Sequence, residues 1–130
     1  MEKYEIRFKK NSLNKILKNL FLTKDKEQFC MILAKKEVIN QFVILKEIEV
    51  FYPKESDILS CSLTHISIKK DFIYRMLLEF NQRVDIDTLI EIHTHPFLQL
   101  NDKVTFSSID DEDEINFNDY LKFNYPNINY

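Results

Sequence analysis

Glycine is absent from this chain of 130 residues. Any backbone position that needs a positive φ must therefore be filled by another residue, and asparagine, present eleven times, is the natural substitute. Cysteine is nearly absent. Cys30 and Cys61 lie far apart in apolar surroundings, and neither belongs to a Cys-x-x-Cys pair. They read as buried free thiols of a cytoplasmic protein and are excluded as metal ligands. No apolar run approaches the 18 or more residues of a membrane span. The first ten residues carry charges throughout and lack the apolar centre of a secretory signal. Repeats, low-complexity tracts and linkers are missing too, so residues 1–130 are expected to form a single domain with a modest core.

Charge is present but divided. Residues 1–36 hold ten Lys or Arg and four Asp or Glu, whereas residues 110–119 hold six acids and no base. The basic stretch lacks both interleaved aromatics and a nucleic-acid motif, so nucleic acid is not an expected partner. Both runs read as solvated faces. The bias toward Asn, Lys and Ile reads as genomic composition rather than function.

The apolar pattern gives the elements. Asn11 and Ser12 are placed to cap a helix over residues 13–22, with Leu13, Ile16, Leu17, Leu20 and Phe21 on one face. Residues 29–34 read as a buried strand, and residues 39–52, ending at Pro53, as a second strand region. Residues 54–60 are a loop and residues 65–68 a short strand. A second amphipathic helix spans residues 70–83, with Phe72, Ile73, Met76, Leu77 and Phe80 on one side. Residues 88–92 form another buried strand, and Ser107 or Ser108 caps a third helix running toward Phe123. The order α-β-β-(β)-α-β-α predicts an α/β fold: an α/β/α sandwich, with helices covering a central mixed sheet.

The last strand leads into Glu91-Ile92-His93-Thr94-His95-Pro96. In an extended chain side chains two apart point the same way, so His93 and His95 share one side and can ligate one ion. A catalytic zinc takes three protein ligands and leaves one position open for water. Asp110, in Ser107-Ser108-Ile109-Asp110, can supply the third ligand once the chain has turned back. A general base is also needed, and Glu27, Glu37, Glu47, Glu49 and Glu91 are the candidates.

His-x-His-Pro followed by Ser-x-x-Asp, with an upstream Glu, resembles the signature of the JAB/MPN (JAMM) zinc metallopeptidases, and residues 106–114 look most like their bacterial and phage branch. The resemblance implies a JAB/MPN-like, cytidine-deaminase-like sandwich and Zn2+ on His93, His95 and Asp110. Family members carry the catalytic Glu at the start of the strand after the first helix, which selects Glu27 as base over Glu91. Glu91 could instead orient an imidazole. Ser107 would donate a hydrogen bond to the tetrahedral oxyanion; its plainer role is an N-cap. The implied activity is hydrolysis after the C-terminal tail of a ubiquitin or ubiquitin-like protein, beside E1-like and E2-like partners.

Cys30 and Ala34 stand where members often carry glycine, and residues 96–106 form a longer loop than is usual. The chain also ends soon after the third helix, so an exposed strand edge is expected to be covered by a second copy or another partner. A binding module of the MPN type without catalysis is the alternative function. It is disfavoured because silent relatives generally lose ligands that this sequence keeps. A zinc deaminase would want Pro-Cys-x-x-Cys, which is missing.

Overall fold

The computed structural model describes residues 2–22, 26–61, 66–94 and 108–130. The elements are β1 (Lys3–Arg7), α1 (Ser12–Leu20), β2 (Phe29–Ile39), β3 (Phe42–Phe51), a 3-10 turn (Glu55–Asp57), β4 (Ile58–Cys61), β5 (Ile66–Ile68), α2 (Lys70–Gln82), β6 (Thr88–His93) and α3 (Ser108–Asn124). Four strands form a mixed sheet in the order β1-β3-β2-β6, and β4 and β5 pair separately. β1 runs parallel to β3, while β2 is antiparallel to both β3 and β6. The expected mixed α/β architecture is present.

β2 is the centre. Its first six residues, Phe29 to Ala34, are all buried, because an inner strand with both faces covered needs apolar side chains on each. Alternation divides them. Phe29, Met31 and Leu33 pack with Phe72, Met76, Leu77 and Phe80 of α2, Leu89 of β6 and Leu121 of α3. Cys30, Ile32 and Ala34 pack on the other face with Ile16 and Leu20 of α1. Helices therefore cover both faces of the sheet.

Several boundaries differ from the sequence expectation. β1 was not foreseen: all five of its residues are exposed, so no buried pattern marks it. It forms by pairing to β3. β2 continues past Ala34 to Ile39, where the hairpin with β3 is held by strand pairing rather than burial; Val38 is 61% exposed. The turn at Asn40-Gln41 splits what read as one strand from residue 39, and Asn40 takes φ 55. The expected loop at residues 54–60 contains the 3-10 turn and most of β4.

α1 ends at Leu20, two residues early, and only Ile16 and Leu20 of its apolar positions are buried; Leu13, Leu17 and Phe21 are exposed. The capping expectation also fails there. Asn11 occupies the N-cap in the left-handed region at φ 65 and makes no side-chain cap bond. The Ser12 hydroxyl is turned instead to the Glu47 carboxylate on β3. α2 agrees with its predicted face: Phe72, Met76, Leu77 and Phe80 are buried and Ile73 is packed against the same cluster. Among the described residues no helix is long and apolar enough to cross a membrane.

Candidate metal centre

The register of β6 against β2 organises this region. Phe29 lies opposite His93, Met31 opposite Glu91 and Leu33 opposite Leu89. Opposed residues of an antiparallel pair share a face. His93 and Glu91 therefore belong to the face covered by α2 and α3. His93 is the last residue of β6, half-buried, where the strand leaves the sheet.

The chain entering β2 is tied to the chain leaving β6. The Thr94 N–H donates to the Gln28 carbonyl at 3.0 Å. The Gln28 N–H in turn donates to Thr94 Oγ1 at 2.9 Å. Thr94 is buried, so this reciprocal pair is shielded from water. It fixes Glu27, the preceding residue, beside the end of the histidine strand. Glu27 is 1% exposed. A carboxyl group at that depth costs several kcal/mol of solvation unless local groups share it. Two residues on, Phe29 meets Phe72 of α2 edge to face, with centroids 6.2 Å apart.

α3 begins at Ser108, so Asp110 lies in its first turn. Seven residues on, or about 10 Å along the axis, Phe117 packs with Leu121 against the α2–α3 side of the sheet. The helix carrying Asp110 thus lies over the face to which His93 belongs. His95, Pro96 and Ser107 fall outside the described residues. Among the described residues, which do not include His95, no group of three or more His, Cys, Asp or Glu side chains could hold a metal ion.

The other candidate bases have visible occupations. Glu37 is exposed and pairs with Lys46 at 2.8 Å. Glu49 takes Arg83 Nη1 at 2.6 Å, tying the end of α2 to β3. Glu47 is held by Ser12. Glu91 accepts a hydrogen bond from Tyr130 Oη at 2.8 Å, and the Tyr130 ring stands edge-on to Phe117 of α3. Tyr130 thereby links β6 to α3, a contact the sequence did not mark. Thr94 was equally overlooked, although strand alternation alone sets it apart from its two histidine neighbours. Cys30 is the expected buried free thiol. Burial, with a smaller contribution from the Glu91 charge, pushes its pKa up to about 12, so it stays neutral and inert at pH 7.

No family model matches the chain, and no curated protein matches it by sequence.

Proposed function

We propose that this chain is a zinc-dependent isopeptidase or peptidase of the JAB/MPN kind, built on that family's α/β/α sandwich. Its substrate would be the bond after the C-terminal tail of a ubiquitin or ubiquitin-like protein, in a cytoplasmic system with E1-like and E2-like partners. One observation carries the reading: the β2–β6 register and the Thr94–Gln28 pair set buried Glu27 beside the start of His93-Thr94-His95-Pro96. A base and a ligand strand drawn from distant parts of the sequence are neighbours in space. α3, carrying Asp110, lies over the same face.

Two imidazoles and one carboxylate are a donor set that suits zinc, and His93, His95 and Asp110 would hold it. Zinc, when bound, supplies Lewis acidity and lowers the pKa of a water toward about 7. Glu27 accepts the proton of the attacking water and returns it to the leaving amine, so that the amine departs neutral. Burial keeps bulk water from that carboxyl group. Ser107 donates a hydrogen bond to the oxygen that gains charge as the carbonyl becomes tetrahedral.

The test pairs elemental analysis with turnover of a cleavable ubiquitin-like fusion. About one zinc per chain is expected, falling sharply in His93→Ala, His95→Ala and Asp110→Ala. A chain that stays metal-free after reconstitution with excess zinc refutes the metal centre. A zinc-loaded chain inactive on every fusion tried moves the assignment to a binding module.

A further inference from the structure

β1 is an open edge of the sheet. The order β1-β3-β2-β6 gives it one neighbour among the described residues, β3, and all five of its residues are exposed. The opposite edge differs. Beside β6, Asn129 accepts from the Leu89 N–H at 2.8 Å and donates to the Asp87 carbonyl at 2.9 Å. In a strand the N–H and C=O of one residue point to the same side, and the side alternates along the chain. Lys3 donates its N–H to the Gln41 carbonyl at 2.8 Å, so the peptide groups of Lys3, Glu5 and Arg7 face β3. Those of Tyr4 and Ile6 point away from the sheet, and such an edge is a template for another strand.

The side chains select the strand. Lys3, Glu5 and Arg7 lie on one face, and their signs alternate along it. A copy of β1 related by a two-fold axis runs antiparallel, and outward-facing groups can meet in three registers. Centred on Glu5, the pairing sets Glu5 against Glu5 and Lys3 against Arg7, which is repulsive at every charged position. Centred on Ile6, it sets Lys3 against Lys9 and needs the chain to follow the edge beyond Arg7. There the chain has turned inward: Phe8 packs with the α1 cluster and the Lys9 ammonium donates to the Ile48 carbonyl. Centred on Tyr4, the pairing sets Lys3 of each copy opposite Glu5 of the other. These take non-hydrogen-bonded positions, with Cα atoms about 4.5 Å apart and side chains in reach. Among the described residues Lys3 has no carboxylate partner, and its ammonium lies 5.7 Å from the centroid of the Phe42 ring. Arg7 takes only Oε1 of Glu5, at 2.8 Å.

We propose that β1 pairs antiparallel with β1 of a second copy, centred on Tyr4 and held by reciprocal Lys3–Glu5 ion pairs. The two sheets then run on as one. A single strand edge is a small interface, so the dimer is weak and reversible. β6 forms the other edge, so pairing leaves His93 uncovered, and the proposal depends on neither zinc nor hydrolysis.

The test is sedimentation equilibrium from micromolar to millimolar chain, beside amide exchange followed by NMR. The parent should dimerise with rising concentration, and protection should grow at the Tyr4 and Ile6 amides. Lys3→Glu and Glu5→Lys should each weaken self-association about tenfold or more, because each turns both ion pairs repulsive. An equimolar mixture of the two variants should associate again, since every Lys–Glu pair then re-forms with its signs exchanged. The exchange measurement uses the unaltered chain, so it stands even if a variant fails to fold. Three outcomes overturn the proposal: a monomer throughout the range, a dimer without added protection at Tyr4 and Ile6, or a Lys3→Glu chain that associates as well as the parent or better.

Discussion

Thr94 grips Gln28 from both of its polar backbone and side-chain groups, donating through its amide and accepting through its hydroxyl. It is the residue between the two histidines, and its hydroxyl is turned to Gln28. Thr94→Val keeps the shape and leaves the Gln28 N–H without its acceptor in a buried place. The expected cost is about 1–3 kcal/mol of stability by chemical denaturation. Thr94→Ser keeps the oxygen and should recover most of it. Equal stability of the Val variant and the parent would mean that the second hydrogen bond contributes nothing.

If Glu27 is the base, Glu27→Gln should retain zinc while turnover falls by about 10²–10⁴. The substitution preserves volume and removes only the proton acceptor. Glu91→Gln keeps an acceptor for Tyr130 and should leave turnover close to the parent's. Reversal of the two results would make Glu91 the base. Ser107→Ala should keep zinc and reduce turnover by about 10²–10³ as an oxyanion donor, and no change would leave it as a helix cap alone.

How far the sequence showed this structure depends on what holds each piece. The first half of β2, α2 and β6 are held by burial, and burial leaves a periodic apolar trace. β1 and the outer half of β2 are held mainly by backbone pairing, which leaves none; their residues are almost all exposed, the Tyr, Ile and Val among them included. α1 misled in the opposite sense. Leu13, Leu17 and Phe21 complete an apolar stripe that its single face against the sheet cannot bury. At the candidate site, the spacing of His93 and His95 could be read directly. The neighbourhood of Glu27 could not, because it depends on the register between strands more than sixty residues apart.

Without glycine, the positive-φ positions among the described residues are asparagines, Asn11 at φ 65 and Asn40 at φ 55. Asn40→Gly should be neutral or slightly stabilising, since glycine takes this conformation without a Cβ clash. Asn40→Ala should be less stable than Asn40→Gly by about 1–2 kcal/mol, since it keeps a β-carbon in the left-handed region without the local hydrogen bonding of the asparagine side chain. Thermal or urea unfolding of the pair reads the difference. Alanine tolerated as well as glycine would show that the hairpin turn relaxes to another geometry.

Cys30 makes stability depend on pH in the alkaline range. Its thiol is raised from an ordinary 9.0 to about 12, first by burial and then by the Glu91 charge. Below pH 9 the thiol is neutral whether the chain is folded or not, and its contribution is fully present. As pH rises from 9 toward 12, the unfolded chain releases the proton while the folded chain holds it. The unfolded state is then favoured and stability drops. In a Cys61→Ser background, where Cys30 is the only thiol, the stability advantage over the Cys30→Ala variant should shrink steadily across that window. The native thiol should also resist alkylation by iodoacetamide at pH 8 until the protein is unfolded. A pH-independent difference between the two chains, or rapid alkylation of the native one, would show that Cys30 titrates as an exposed thiol does.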